Sequence, residues 1–308
     1  MARRTPASIT SPLAPRASAL TAVLTAALAG EPEAVHQARV ASRRLREVLP
    51  ALTVTQGRAG RALRKDVRRV TRALGAVREL DVALGYFDEA VATSAMSAAA
   101  RASTRRVLQA QRAAALRQAR ATLTRARLQR LQARLAELSV ASTGSSASSS
   151  SSSVASITAA AVKAAMAARV EGRARGARKA AMGTGVVYMP ERLHAVRIAV
   201  KRLRYALEAG QEIRGVRATA QLTQLKAIQD LLGRAHDLHV LAERIHEVEV
   251  SVVQRSRATA RDLAAFARAL DRECRALHAA FMSRRNGLLT LSASLVTPAS
   301  APRARSVA

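Results

Sequence analysis

The stretch Val35-His-Gln-Ala-Arg-Val-Ala-Ser-Arg-Arg-Leu-Arg-Glu-Val-Leu49 decides the fold, because its apolar residues return every three or four positions, as one face of a helix requires. At about 100° per residue, Ala38, Ala41, Leu45, Val48, Leu49 and Leu52 fall together, while His36, Arg39, Arg43 and Arg46 fall opposite them. One side is built for burial and the other carries cations. Pro32, following Glu31, suits a first helical turn, where its missing N–H costs nothing. The same register returns in Leu193-His-Ala-Val-Arg-Ile-Ala-Val-Lys-Arg-Leu-Arg-Tyr-Ala-Leu207, at an offset of 158 residues. There His194, Arg197, Lys201 and Arg204 form the cationic row, backed by Ala199, Leu203 and Leu207, and Arg44 and Arg202 flank the two rows.

Working outward, Leu74-Gly-Ala-Val-Arg-Glu-Leu80 matches Leu232-Gly-Arg-Ala-His-Asp-Leu238 at that same offset of 158. A constant offset between separated motifs implies two copies of one helical unit. Nearly every other segment has helical periodicity in an Ala-, Leu- and Arg-rich background, so the chain reads as all-α. The serine tract interrupts that pattern. The expected organisation is a disordered N-terminal segment over 1–16, a first helical half over 17–138, a Ser-rich linker over 139–156, a second half over 157–292 and a disordered tail over 293–308. Within the first half, Arg101 to Leu138 reads as one long basic helix.

Charge narrows the function. Lys and Arg number 51 against 21 Asp and Glu, a formal net charge of +30, which repels itself unless a partner supplies anions. Arginine dominates, and its planar fork grips phosphate with two donors where lysine offers a point charge. Genomic arginine bias accounts for some of this excess. The two rows are more telling: a face that merely solvates a helix mixes signs to gain i,i+4 pairs, whereas neither row holds a carboxylate. A third basic face carries Arg61, Arg64, Lys65, Arg68 and Arg72, opposite Leu63, Val67, Val70 and Leu74; the second half keeps only Lys226, equivalent to Arg68. The rows and this face are the expected polyanion-binding residues, and asymmetry between halves follows. Aromatics make up 2% and Trp is absent, which removes the platforms on which unstacked bases usually lie.

The patterns His-x-x-Arg-Val-x-x-Arg-Arg-Leu-Arg and His-x-x-Arg-Ile-x-x-Lys-Arg-Leu-Arg-Tyr, with the paired Leu-Gly segments, resemble the CHAD family, the conserved-histidine α-helical domain, over roughly Ala17 to Leu289. That resemblance implies two helical bundles related by pseudo-twofold symmetry, with basic residues lining a central cleft or pore. It further implies binding of inorganic polyphosphate and recruitment to polyphosphate granules. His36, Arg39, Arg43, Arg44, Arg46, His194, Arg197, Lys201, Arg202 and Arg204 match the motif.

Other chemistry is less well provided for. His236, His239, Glu243 and His246 share a helical face, a spacing compatible with a metal, but the first-half counterparts of His236 and His239 are Arg78 and Asp81, which favours a structural role near the Leu-Gly turn. No phosphate-cradling Gly-x-x-x-x-Gly-Lys loop, nucleophile elbow or His-Glu-x-x-His is present, and Glu31-Pro-Glu33 and Glu247-Val-Glu249 lack the lysine of a triphosphate-processing module. The expectation is a non-enzymatic binder without cofactor or metal; the alternatives are a nucleic-acid-binding protein and a metal-dependent polyphosphate-processing enzyme. Any surface this basic will also hold nucleic acid at low salt. One cysteine, Cys274, excludes an intramolecular disulfide and fits a reducing cytoplasm. Arg3 and Arg4 before the apolar run Ala19 to Ala29 resemble a short signal peptide, but Pro12, Pro15, Thr21 and Thr25 interrupt it, and the repeat requires a helix there. No membrane partner is expected.

Overall fold

A computed structural model describes residues 13–52, 57–92, 94–141 and 152–296. Among them every regular element is an α-helix: α1 (Leu13–Ala29), α2 (Pro32–Leu52), α3 (Gly57–Ala73), α4 (Gly75–Ala92), α5 (Ala98–Thr122), α6 (Arg125–Ala141), α7 (Ser152–Met182), α8 (Pro190–Arg214), α9 (Thr219–Val252) and α10 (Arg257–Ser294). The all-α reading holds.

Helix boundaries follow local chemistry. Pro32 and Pro190 open α2 and α8, preserving the offset of 158 read between the two motifs. The α1–α2 corner needs Gly30: its φ is +102°, and a Cβ there would sit 2.7 Å from Leu116 Cδ2. Arginines of α5 satisfy the carbonyls that α1 leaves open at its end. Arg112 donates to Gly30 O at 2.7 Å, and Arg120 to Leu28 O at 2.7 Å and Ala29 O at 3.1 Å. Part of the basic surplus in this region is therefore structural.

Three apolar clusters hold the molecule together. One joins α1, α2, α3, α5 and α6 around Leu20, Leu45 and Leu131. A second joins α7 to α10 around Met166, Leu203 and Phe281, and takes Val48 and Ala51 from α2. The third is built jointly by α4, α5, α9 and α10, with Phe87 edge-on to Phe266. Each half thus keeps a core largely its own, and the third core is common to both. A buried charge reinforces the seam: Glu47 of α2, 5% exposed, accepts from Arg169 Nε at 2.9 Å and from Arg173 Nη2 at 3.2 Å, both on α7.

Several segment boundaries differ from expectation. Arg101 to Leu138 is two helices, because Leu123 turns out of helical geometry and buries itself in the core at 3% exposure. The helices α6 and α7 extend into the serine-rich region from both sides; only 142–151 of the expected linker lie outside the described residues. Likewise α1 begins at Leu13 and α10 reaches Ser294, while 1–12 and 297–308 lie outside the described residues. Finally, Leu74 does mark a corner between α3 and α4, but Leu232-Gly233 lies inside the continuous α9.

Candidate functional site

The helices α2 and α8 pack side by side, and the burial pattern of each is what its sequence dictates: Ala38, Leu45, Val48 and Leu49 inside on one, Val196, Val200, Leu203 and Leu207 inside on the other. With those sides committed, the opposite rows face a cavity of about 770 Å³ whose lining includes His36, Arg39, Arg43, Arg46, His194, Arg197, Lys201, Arg202 and Arg204. The row residues are half-buried; Arg44 and Arg202 are exposed, and Arg44 lies outside the cavity, 3.7 Å from Glu208. Nine Arg and Lys side chains line the space against four carboxylates, a surplus of five positive charges with the histidines neutral.

The cations act on one another both along each row and across the cavity. Burial and neighbouring cations together lower the pKa values of His36, Arg39, Arg46, His194, Arg197, Lys201 and His236. Burial, then the charge of Arg197 and of Arg43, pushes the Lys201 ammonium down to about 7. Burial and Arg43 push Arg39 down to about 10, with Arg197 adding to the effect. His36 is lowered by burial and by Arg78, and Lys201 of the facing helix contributes. Cations that depress one another across a gap make a site that an anion would relax.

Neutralisation within the cleft is partial. Arg197 lies 3.5 Å from Asp237, whose own pKa is raised by burial, and Arg204 pairs with Glu208 and donates to Gln229 at 2.8 Å. Arg39 donates to the Thr71 carbonyl at 2.7 Å, and Gly75 makes room for it, since a Cβ there would come within 3.3 Å of Arg39 Nη1. Arg43, Arg46, Arg78, Lys201 and Arg202 have no hydrogen-bond or ion-pair partner for their side chains among the described residues.

The structure adds residues that the sequence argument set aside. His236 Nδ1 lies 3.1 Å from His194 Nδ1, with ring centroids 4.3 Å apart; one ring donates and the other accepts. Burial and then Arg197 drive His236 down to about 3, and the same two causes lower His194, so the pair is uncharged at neutral pH. Arg78, Glu79, Gly75 and their counterparts His236, Asp237, Gly233 all line the cavity. The signal is present in the sequence: these pairs keep the offset of 158, but the mismatch of His236 and His239 with Arg78 and Asp81 favours a structural role near the Leu-Gly turn.

The metal-compatible spacing on α9 does not gather. His236 is engaged with His194, His239 approaches Glu243 at 3.6 Å, and His246 approaches Glu249 at 3.1 Å. Among the described residues no group of three or more His, Cys, Asp or Glu side chains could hold a metal ion.

The third basic face is not part of the central lining. Lys65, Arg68 and Arg72 line a separate depression against α5, Arg61 and Arg64 lie in neither cavity, and Lys226 is exposed and paired with Asp230 at 3.0 Å. The helical wheel gave the correct face of α3, with Leu63, Val67, Val70 and Leu74 buried. It could not give the neighbour that the basic face meets.

The all-helical fold gathers arginine, lysine and histidine side chains around one recessed space. The CHAD domain family pattern matches residues 13–246, most of the chain, and the chain belongs to that family. Among solved structures it is similar to the CHAD domain from the plant Ricinus communis, with 24% identity, TM-score 0.58, and coverage of 94% of this chain and 90% of that one. It is also similar to PptA from Streptomyces chartreusis, with 16% identity, TM-score 0.59, and coverage of 93% and 98% respectively. Both likenesses concern the fold. No curated protein matches. No helix among the described residues is long and apolar enough to cross a membrane.

Proposed function

We propose that the protein binds inorganic polyphosphate in the cleft between α2 and α8, without transforming it, and that this binding places it at polyphosphate granules in the cytoplasm. The observation that carries the reading is the convergence of the two repeated cationic rows on one recessed space. The matched starts of α2 and α8 support descent of both rows from one duplicated unit. Bare tetrahedral phosphates can follow a narrow path between recessed guanidinium groups, and each phosphate offers oxygens to the fork of an arginine.

A nucleic acid would have to bring sugars and bases into the same space. The aromatic rings that line it, Tyr86 and Tyr205, already lie against arginines: Arg234 is 5.9 Å from the Tyr86 centroid and Arg204 is 4.8 Å from that of Tyr205. Base stacking is therefore poorly served. The cleft carboxylates are likewise engaged, Asp237 with Arg197 and Glu47 with Arg169 and Arg173, which supports a binding role over acid–base chemistry.

The test is a polyphosphate titration at several salt concentrations with RNA of equal charge as competitor. Polyphosphate should displace RNA near physiological ionic strength; tighter retention of RNA would favour the nucleic-acid reading. Replacing Arg39, Arg43, Arg197 and Lys201 by alanine should leave helicity intact and abolish binding. A folded variant with unchanged affinity would refute the site.

A further inference from the structure

We propose that the loop joining α7 to α8, residues 183–189, forms with the end of α7 a docking surface for an acidic protein partner, whose amphipathic helix lays an apolar stripe edged by carboxylates across Val186 and Val187. The lining of the central cleft includes none of these loop residues, and the inference does not depend on which anion the cleft takes.

Exposure here runs against the chemistry of the side chains. Val186 is 87% exposed, Val187 70%, Met182 58% and Met189 40%. Of the seven exposed large apolar side chains among the described residues, these four fall within eight consecutive positions, a cluster where scattered single residues are the norm. The loop is firmly tethered. Thr184 is buried and its hydroxyl donates to Ala180 O at 3.2 Å, Arg192 donates to Gly183 O at 2.8 Å, and His278 Nε2 donates to Gly185 O at 3.1 Å. Tyr188 packs against two of the apolar clusters, its ring centroid 5.7 Å from that of His278. Val186 and Val187 are thus carried outward between two anchored residues, and a surface already ordered loses little freedom when a partner covers it.

The duplicated unit does not need this loop. The matching corner between α1 and α2 is Gly30-Glu31, two residues against seven here, and Leu116, Arg112 and Arg120 of α5 close over it. Arg285 of α10 does for α7 what Arg120 does for α1: it donates to Ala181 O at 2.8 Å, so the open end of the helix is satisfied from outside the loop. What the longer connection adds is apolar surface, and clustered apolar surface on a tethered loop marks contact with another molecule.

Charge selects the occupant. Arg178 and Lys179 lie one turn before Met182 on α7, exposed and without hydrogen-bond or ion-pair partners among the described residues, and the exposed Arg192 lies one turn after Met189. Both ends of the apolar patch are therefore cationic. The carboxylates at hand are Glu191, in the first turn of α8, and Asp271, whose charge reaches Tyr188 together with that of Arg275. They are outnumbered by Arg178, Lys179, Arg192, Arg275 and Arg285. A second copy of the chain would set cation against cation, on molecules that each carry a formal charge of +30. An acidic amphipathic helix meets both features at once: its apolar side chains cover the valines, and its marginal Asp or Glu side chains pair with Arg178, Lys179 and Arg192.

The experiment titrates the whole chain into a labelled helical peptide of leucine and glutamate, its leucines at helical spacing, and follows fluorescence anisotropy at physiological ionic strength. A second peptide with serine in place of leucine carries the same charge and measures capture by the basic surface at large. The wild type should prefer the leucine peptide. The Val186→Ser, Val187→Ser double variant should bind it about tenfold more weakly, with circular dichroism unchanged because both side chains are exposed. The Arg178→Glu, Lys179→Glu variant should weaken it to a similar degree, and the serine peptide should bind the wild type and the valine variant alike. Equal affinity of the wild type and the valine variant for the leucine peptide overturns the docking surface. So does a valine-dependent dimer in sedimentation, which would assign the loop to a second copy, or valine-dependent binding to phosphatidylglycerol vesicles without peptide binding, which would assign it to a lipid surface. None of these outcomes bears on the cleft variants, which test the proposed function separately.

Discussion

Lys201 shows how position converts an ordinary side chain into a tuned one. Held at about 7 by burial and by Arg197 and Arg43, it carries only part of a charge at neutral pH. A bound polyanion would return it toward its ordinary value, so binding should take up a proton above pH 7 and weaken as pH rises, by up to about tenfold per pH unit. Calorimetry in buffers of differing ionisation enthalpy should register that uptake, and Lys201→Arg should flatten the dependence. The effect on the unliganded fold has the opposite sign. A lysine whose folded pKa lies below its unfolded value of 10.5 destabilises the fold when protonated, so this contribution improves as pH rises from about 7 toward 10.5. The Lys201→Met protein should lose that rise in a denaturation series across the same window. Which residues would be cationic was legible in the sequence. Which of them would be depressed was not, because burial and the charge of Arg43 on the facing helix depend on elements far apart in the chain.

At the level of elements, two contacts decide how α2 is held. Gly30 →Ala would place a Cβ against Leu116 in a backbone conformation that L-residues avoid, and should cost about 2 kcal/mol in a urea titration. A Leu116→Ala background should recover part of that loss, the part due to collision. Glu47→Ala would leave Arg169 and Arg173 without their shared buried acceptor at the seam between halves, for a loss of about 3 kcal/mol. Helical periodicity foretold the buried sides of α2, α3 and α8 closely. It did not foretell the break at Leu123 or the continuity of α9 through Gly233, since a helix ends or continues according to what its next turn can pack against. The Leu-Gly motif illustrates this: the same residues make a corner in one half and an uninterrupted helix in the other.

Over the whole molecule, the surplus of 30 positive charges means that the unliganded fold works against its own repulsion. A polyanion bound only by the native state should raise the melting temperature by about 5 °C at a hundredfold excess over Kd. The Arg39, Arg43, Arg197, Lys201 alanine variant should lose that increment while keeping its helical circular dichroism; loss of the helical signal would mean that these cations serve the core instead of the cleft. By itself the sequence determined the helical class, the repeated rows and the sides of helices that are buried, because each depends on residues within a few turns. Tertiary structure alone decided that the rows from α2 and α8 confront one another, that His236 joins His194, and that Arg68 and Arg72 open onto a separate groove. Periodicity fixes where a side chain stands on its own helix, whereas the partner it faces depends on how helices far apart in the chain close around shared apolar cores.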